Sequence, residues 1–334
     1  MGLMGIASAQ QVINLYSARH YPSDEALYSD FTRATGIAIQ RVDADDAGIL
    51  ARLRTEGSAS PADVILLVDA ARLWKAETEG LFMPIHSKIL ETAVPVHMRS
   101  KANDKGEFAW FGMSTRARIV VYDKLKLDRQ QVDTYEKLAN PKLKGQLCIR
   151  SGSHPYNLSL FGSILEHIGA VATEAWLKGL VANMARSPKG GDTDQIKAVA
   201  SGECAVAVTN TYYLARMLRS NRPTEKDMAE SLGVVFPNQS SWGTHVNVAG
   251  AAVARYSKNS PAAIKFLEYL VSPSAQNHFA NGNNEWPVVK DLKFDNPALK
   301  SMSGGDFKSE VIPISAVGMN QIKVQQMLDR VGFK

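Results

Sequence analysis

From Cys204 to Arg219 the chain reads Cys-Ala-Val-Ala-Val-Thr-Asn-Thr-Tyr-Tyr-Leu-Ala-Arg-Met-Leu-Arg, which sets two phenols near a guanidinium. Ala205 to Val208 is a short apolar run of strand type, and Thr209 and Asn210 are turn and helix-capping residues. Leu214, Met217 and Leu218 then recur at helical spacing. The pattern predicts Tyr212 and Tyr213 in the first turn of a helix, just past a strand's carboxyl end, where open α/β sheets bind ligands. Arg216 follows Tyr212 by one helical turn and shares the face of both rings. Two phenols beside a fixed positive charge, in the field of a helix N-terminus, favour phenolate. Phenolate is a hard oxygen donor and suits a hard, highly charged cation such as ferric iron. The pair alone also allows a plainer arrangement, with one ring packed in the core and the other solvated.

Two more predicted strands end in tyrosine-bearing loops. His20-Tyr21 follows the strand Val12 to Tyr16, and Tyr156 follows the strand Gln146 to Arg150. In a doubly wound lobe such loops converge at one sheet edge. One nitrogen and four oxygens from His20, Tyr21, Tyr156, Tyr212 and Tyr213 would make a ferric shell. Four phenolates around a trivalent ion leave one negative charge, and Arg116 and Arg216 are the candidates to balance it, since guanidinium stays charged when buried. His154, beside Tyr156, is a further candidate ligand. No GxSxG elbow, GxxxxGK[ST] loop or HExxH motif occurs. Asp43, Asp45 and Asp46 lack the glycine and closing glutamate of a calcium loop and read as a solvated turn.

Stepping outward, the positioning elements follow a βαβ rhythm. Strands are predicted over 12–16, 37–42 and 62–68, with helices capped by Asp24 and Asp69 and another over 47–56. Two strands, 108–114 and 117–122, flank Thr115-Arg116, where the chain crosses to a second lobe. Further helices are expected over 158–167, 172–183, 192–200 (with Asp192 and Gln195 as its capping box), 261–271 and 321–331. Strands are expected over 233–236 and 247–254, and 281–287 reads as a loop.

The 334 residues suggest two domains, and 45% apolar with 21% charged residues is ordinary for a globular chain. The net charge of +5 is scattered rather than clustered, which argues against nucleic acid as a partner. No stretch approaches the roughly 18 apolar residues of a spanning helix. Met1 to Ala9 looks like the tail of a signal peptide, with Ala7-Ser8-Ala9 as a small-residue cleavage site. The two cysteines, Cys148 and Cys204, could form one disulfide in an exported protein or remain two buried thiols.

A set of segments in order along the chain carries a resemblance: Tyr16-Ser-Ala-Arg-His-Tyr21, Ala62-Asp-Val-Ile, Tyr156-Asn-Leu-Ser-Leu160, Gly190-Gly-Asp-Thr-Asp-Gln-Ile196, Gly202-Glu-Cys, Asn210-Thr-Tyr-Tyr213, His245-Val-Asn247 and Asn283-Asn-Glu-Trp-Pro287. Together they resemble the periplasmic ferric-iron-binding proteins of ABC transporters. The resemblance implies an α/β, two-lobed type II periplasmic binding protein, each lobe a mixed, mostly parallel sheet flanked by helices, with Fe(III) held in the interlobe cleft. The expected division is a signal remnant 1–9, an N-terminal lobe 10–107 plus 235–288, and a C-terminal lobe 108–234 plus 289–334. It also implies an exported, monomeric carrier that passes Fe(III) to an inner-membrane ABC permease and is not an enzyme. One subgroup of the family uses His, a carboxylate and two Tyr with a bound anion. Another, resembling the cyanobacterial proteins, uses a His-Tyr pair with three further Tyr and needs no anion. His20-Tyr21 with Tyr156 favours the second, while Asp69 falls near the first subgroup's carboxylate. Two other assignments stay open at this point: a binding protein of the same architecture for a small anion or polyamine, and a tyrosinate-iron enzyme.

Overall fold

The computed structural model describes residues 11–19, 21–304 and 306–334. The expected signal remnant and His20 therefore lie outside the described residues. The first half of the chain runs β1 (Val12–Ser17), α1 (Asp24–Thr35), β2 (Ala38–Asp43), α2 (Asp46–Glu56), β3 (Val64–Leu67), α3 (Ala70–Thr78), β4 (Phe82–Met83), α4 (Lys88–Ala93), β5 (Phe111–Asp123) and β6 (Leu147–Cys148). The second half runs α5 (Pro155–Asn183), α6 (Asp192–Ala200), β7 (Val206–Asn210), α7 (Thr211–Leu218), α8 (Pro223–Ser231), β8 (Leu232–Val235), β9 (Val246–Ala254), α9 (Ser260–Leu270), α10 (Pro273–Asn283), β10 (Trp286–Pro287), α11 (Pro297–Ser303) and α12 (Ile314–Val331).

The strand order β2-β1-β3-β9-β5-β7-β6 joins two sheets through β5. β1 pairs parallel with β2 and β3, and β6 pairs parallel with β7, whereas β9 lies antiparallel to both β3 and β5. Residues Phe111 to Ala117 of β5 pair with β9, and Arg118 to Tyr122 pair with β7. Sequence reading split this strand at Thr115-Arg116, because a charge inside an apolar run looks like a break. The backbone instead continues through it, with Arg116 in register with Asn247 and its side chain buried. The register slips between Gly112 and Ser114, and a Cβ at Gly112 would meet the Met98 carbonyl and Val248 at 2.7 Å, so glycine is required there.

Each sheet is covered on both faces, as its strands of Val, Ile, Leu and Ala demand. Around the first sheet, Leu27 and Phe31 of α1 meet Phe266 and Leu267 of α9 on one side. Ile49 and Leu50 of α2 meet Leu73 of α3 on the other. Around the second sheet, Phe161, Ile164, Trp176 and Leu177 of α5 pack with Val324 and Met327 of α12. Its opposite face holds Ile196 of α6, Leu214 and Met217 of α7, and Leu299 of α11. Two lobes result, and β5 and β9 are the strands along which they join.

Several expectations need correction. The two helices expected over 158–167 and 172–183 are present as the two arms of α5, parted at Gly169, whose φ of 76° breaks the helical path; the correction is that the first arm starts earlier, at Pro155. The loop expected over 281–287 is in part the end of α10. The cap of α6 is Gly191, whose N–H donates to Asp194 at 2.7 Å, so the box does not use Asp192. Helices α8, α10 and α11, each with proline at its first turn, were not foreseen. Cys148 in β6 and Cys204 just before β7 are joined by a disulfide, with Cα atoms 5.8 Å apart. Among the described residues, no helix is long and apolar enough to cross a membrane.

Candidate metal-binding cleft

Tyr212 and Tyr213 occupy the first turn of α7, directly after β7. Leu214, Ala215 and Met217 face the core and fix the helix, so Tyr212 is buried at its N-terminus. Tyr156 sits in the first turn of α5 rather than in the preceding loop, because Pro155 starts that helix and the His154 side chain caps it. Two helix N-termini therefore carry three of the tyrosines, and the positive end of each helix dipole favours negative charge there.

The phenol oxygens of Tyr156 and Tyr212 lie 3.1 Å apart. Neighbouring oxygens on a small octahedral ion with bonds of about 2.0–2.1 Å would sit about 2.9 Å apart, so this pair is close to a bidentate grip. Tyr21, from the loop after β1, meets Tyr212 edge-on with ring centres 6.0 Å apart. Tyr213 lies against Tyr212 at 4.2 Å. The four tyrosines named from the sequence are thus gathered at one place, across both lobes.

Arginines surround them. Arg116 is buried, its guanidinium carbon 5.8 Å from the Tyr156 ring centre, and all three of its guanidinium nitrogens lack a hydrogen-bond partner among the described residues. A buried cation without a partner is costly, so this group awaits negative charge. Burial works against its charge, yet Tyr156, Glu285, Tyr212 and Tyr21 hold it above its ordinary value. Arg216 is exposed and stacks over Tyr213 at 5.7 Å. Arg118 and Arg150, not singled out from the sequence, lie 6.0 and 5.1 Å from the Tyr156 ring centre. Arg116 and Arg118 alternate on one face of β5, and two arginines at that spacing within an apolar strand were the available signal.

Burial pushes the phenols of Tyr21, Tyr156 and Tyr212 up. Tyr156 is raised to about 12, with Arg116 pulling it back. Tyr21 is raised further, with Glu285 adding to burial and Arg19 opposing. Tyr212 is raised well above its usual value by burial and by the neighbouring phenols. Without a cation these groups stay protonated at neutral pH, so a metal that binds as phenolate complex must displace their protons.

The reserve candidates are otherwise engaged. Asp69 caps α3 through the Ala71 N–H at 2.9 Å, and its other oxygen accepts from Ser159 and Asn247, both at 2.8 Å. Its carboxylate is thus spent tying α3 to α5 and β9. His154 accepts the Tyr156 N–H through Nδ1 at 3.2 Å, and burial with the nearby Arg150 and Arg118 lowers its pKa to about 3. Among the described residues, no cluster of three His, Cys, Asp or Glu could hold a metal, so oxygen from tyrosine is the donor type on offer.

The sequence model of the bacterial extracellular solute-binding proteins matches residues 26–301. Iron uptake protein A1 of Synechocystis sp. is 45% identical over 326 residues, covering 97% of this chain and 88% of that protein. A solved structure described as Trichodesmium (IdiA) (FutA) in complex with iron and citrate ligands is 44% identical, with a TM-score of 0.90, covering 97% of this chain and all of that one. The ferric binding protein from Campylobacter jejuni is 38% identical with a TM-score of 0.89, covering 96% of this chain.

Proposed function

We propose that this chain, which belongs to the bacterial extracellular solute-binding proteins and within them to the periplasmic ferric-iron-binding group, captures Fe(III) through tyrosine phenolates in its interlobe cleft and delivers it to an ABC permease. Tyr21, Tyr156, Tyr212 and Tyr213 are the ligands, with His20 as a fifth donor. Arg116 balances the charge of the closed shell from within the protein, and Arg216 contributes from the surface. The observation that carries this is the phenol pair of Tyr156 and Tyr212 beside a buried guanidinium with no hydrogen-bond partner among the described residues. Trivalent iron and four phenolates leave one negative charge, which Arg116 offsets at close range.

The protein is a carrier rather than an enzyme, works in the periplasm as a monomer, and meets an inner-membrane permease. Its lobes divide near the sequence boundaries of 107/108, 234/235 and 288/289, and closure is a hinge motion about the β5 and β9 crossings. The free nitrogens of Arg116 support a second assignment, a small anion bound in the same cleft. A visible spectrum of the purified protein, recorded before and after a chelator and a reductant, separates the two. The iron carrier is coloured by phenolate-to-iron charge transfer and bleaches with both treatments. A protein that binds anions and stays colourless when loaded with Fe(III) contradicts it.

A further inference from the structure

The run Gly190-Gly-Asp192-Thr-Asp-Gln195 contains none of the tyrosines, and its capping duty falls to Asp194. Gly190 holds φ 70°, and a Cβ there would strike the Asp194 carboxylate at 2.5 Å, so the turn is drawn tight against the start of α6. This leaves the Asp192 carboxylate free to face inward, where it is fully buried. One oxygen accepts from Arg118 at 2.5 Å and from the Asn210 N–H at 2.7 Å, and the other accepts from Arg150 at 3.0 Å. Asn210 is the residue on which α7 begins. Arg118 in turn donates to the Asn157 side chain at 2.8 Å, and Asn157 donates to the Arg150 and Ser151 carbonyls, both at 3.0 Å. Asn157 follows Tyr156 directly.

We propose that Asp192 is a positioning residue for iron capture: through Arg118, Arg150 and the Asn210 amide it holds the first turns of α5 and α7 at the spacing that lets Tyr156 and Tyr212 grip one ion. Like the site itself, this rests on the tyrosines being the ligands. Position and charge pull in opposite directions here. As a nearby negative charge, Asp192 opposes ionisation of Tyr156. If it acted only as a charge, neutralising it would ease phenolate formation and tighten binding. If it acts by position, neutralising it slackens the pair and weakens binding, because asparagine keeps one acceptor oxygen and turns an NH2 donor toward the other donors that both carboxylate oxygens had held.

Asp192→Asn keeps the shape and removes the charge, and Asn157→Ala cuts the same network at its neutral end should the first variant fold poorly. Each is loaded with Fe(III) beside the wild type, after thermal melting of the iron-free protein has established that it folds. Expected for Asp192→Asn is a loss of iron affinity above about tenfold, a displaced phenolate-to-iron band, and iron release beginning at higher pH. Asn157→Ala is expected to displace the band in the same direction by less. Unchanged or tighter binding in Asp192→Asn, with release moved to lower pH, overturns the proposal, as does an unmoved band in both variants when the wild type has one. A wild type that binds iron with no such band refutes the tyrosine shell itself, whatever the variants do.

Discussion

The two lobes bring their phenols to the cleft in opposite electrostatic settings. In the first lobe Tyr21 lies over Arg19, which is spent on two buried carboxylates, Asp24 at 2.8 Å and Glu285 at 3.0 Å. In the second lobe Tyr156 has Arg116, Arg118 and Arg150 nearby; Asp192 pairs with the last two, and Glu285 reaches Arg116 from the first lobe. Near Tyr21 the Glu285 carboxylate opposes the arginines, whereas at Tyr156 Arg116 is the strongest influence after burial and pulls the phenol back; Tyr212 stays high all the same, because burial and the neighbouring phenols outweigh Arg116. Tyr21 is accordingly pushed higher than Tyr156, although both are raised first by burial. The lesson is that a symmetrical set of tyrosine donors need not be equivalent. Arg116, Arg118 and Arg150 of the second lobe surround Tyr156, and the first lobe adds in Tyr21 a donor whose proton is harder to remove than that of Tyr156.

The largest expected effect tests that inequality directly. Tyr156→Phe and Tyr212→Phe remove one oxygen each and keep the ring, so the fold should persist. Each should lower Fe(III) affinity by more than about 100-fold, beyond the range typical of residues that only support ligands. Tyr21→Phe should cost less than Tyr156→Phe, because the wild type must first take a proton from a more resistant phenol. Competition titration against a chelator ranks them, and a Tyr21→Phe loss equal to that of Tyr156→Phe would erase the comparison.

Next in size is Arg116→Met. It should weaken iron binding by about 10- to 100-fold and yet leave the iron-free protein as stable or more so, because an unpaired buried charge is lost. Thermal melting with and without iron reads both signs at once. A variant less stable without iron and unaltered in affinity would show that Arg116 serves the fold alone.

Glu285→Gln should sharpen the contrast in the other direction. The phenol pKa values are raised, so the groups are protonated below them, and iron binding must weaken as pH falls. Removing the Glu285 charge lowers the Tyr21 pKa, so iron should be retained to a pH lower by roughly 0.5 unit. A shift to higher pH would mean that Glu285 matters more for holding Arg19 than for the field at Tyr21.

The smallest effect belongs to Arg216. It is exposed, so Arg216→Gln should change affinity by less than about fivefold and mostly at low salt. Arg219, which ends α7, is bound into the fold. It donates to the Asn281 carbonyl at 2.6 Å and to Asn284 at 2.7 Å, joining the end of α7 to the end of α10 across the lobes. Replacing it disturbs closure as well as charge.

Much of this site was legible because it rests on local pattern. An apolar run, a capping residue and helical spacing place Tyr212 and Tyr213 in a first turn, and the structure has them there. Tyr156 was expected in a loop because Pro155 was read as part of a turn, although proline is also a common first residue of a helix. What local pattern could not supply was partnership at long range. Asp192 meets Arg118 and Arg150 from 74 and 42 residues away, and in sequence it looked like a helix cap. Asp69 was a fair candidate for a metal-binding carboxylate until its hydrogen bonds to Ser159 and Asn247 were seen to occupy it. The division of β5 between two sheets is likewise invisible along the strand, since each half is apolar for its own core. Short polar helices such as α8 were missed because their buried faces are narrow; α8 buries only Ala229.

The most direct test of the central claim counts the tyrosines that ionise when iron binds. Ultraviolet difference spectra of the iron-free protein titrated with a weak Fe(III) chelate at neutral pH report tyrosinate formation against an alkaline standard. Ionisation of Tyr21, Tyr156, Tyr212 and Tyr213 together, reduced by one ring in each Tyr→Phe variant, is the predicted result. Stoichiometric iron binding with no ionised tyrosine would contradict it.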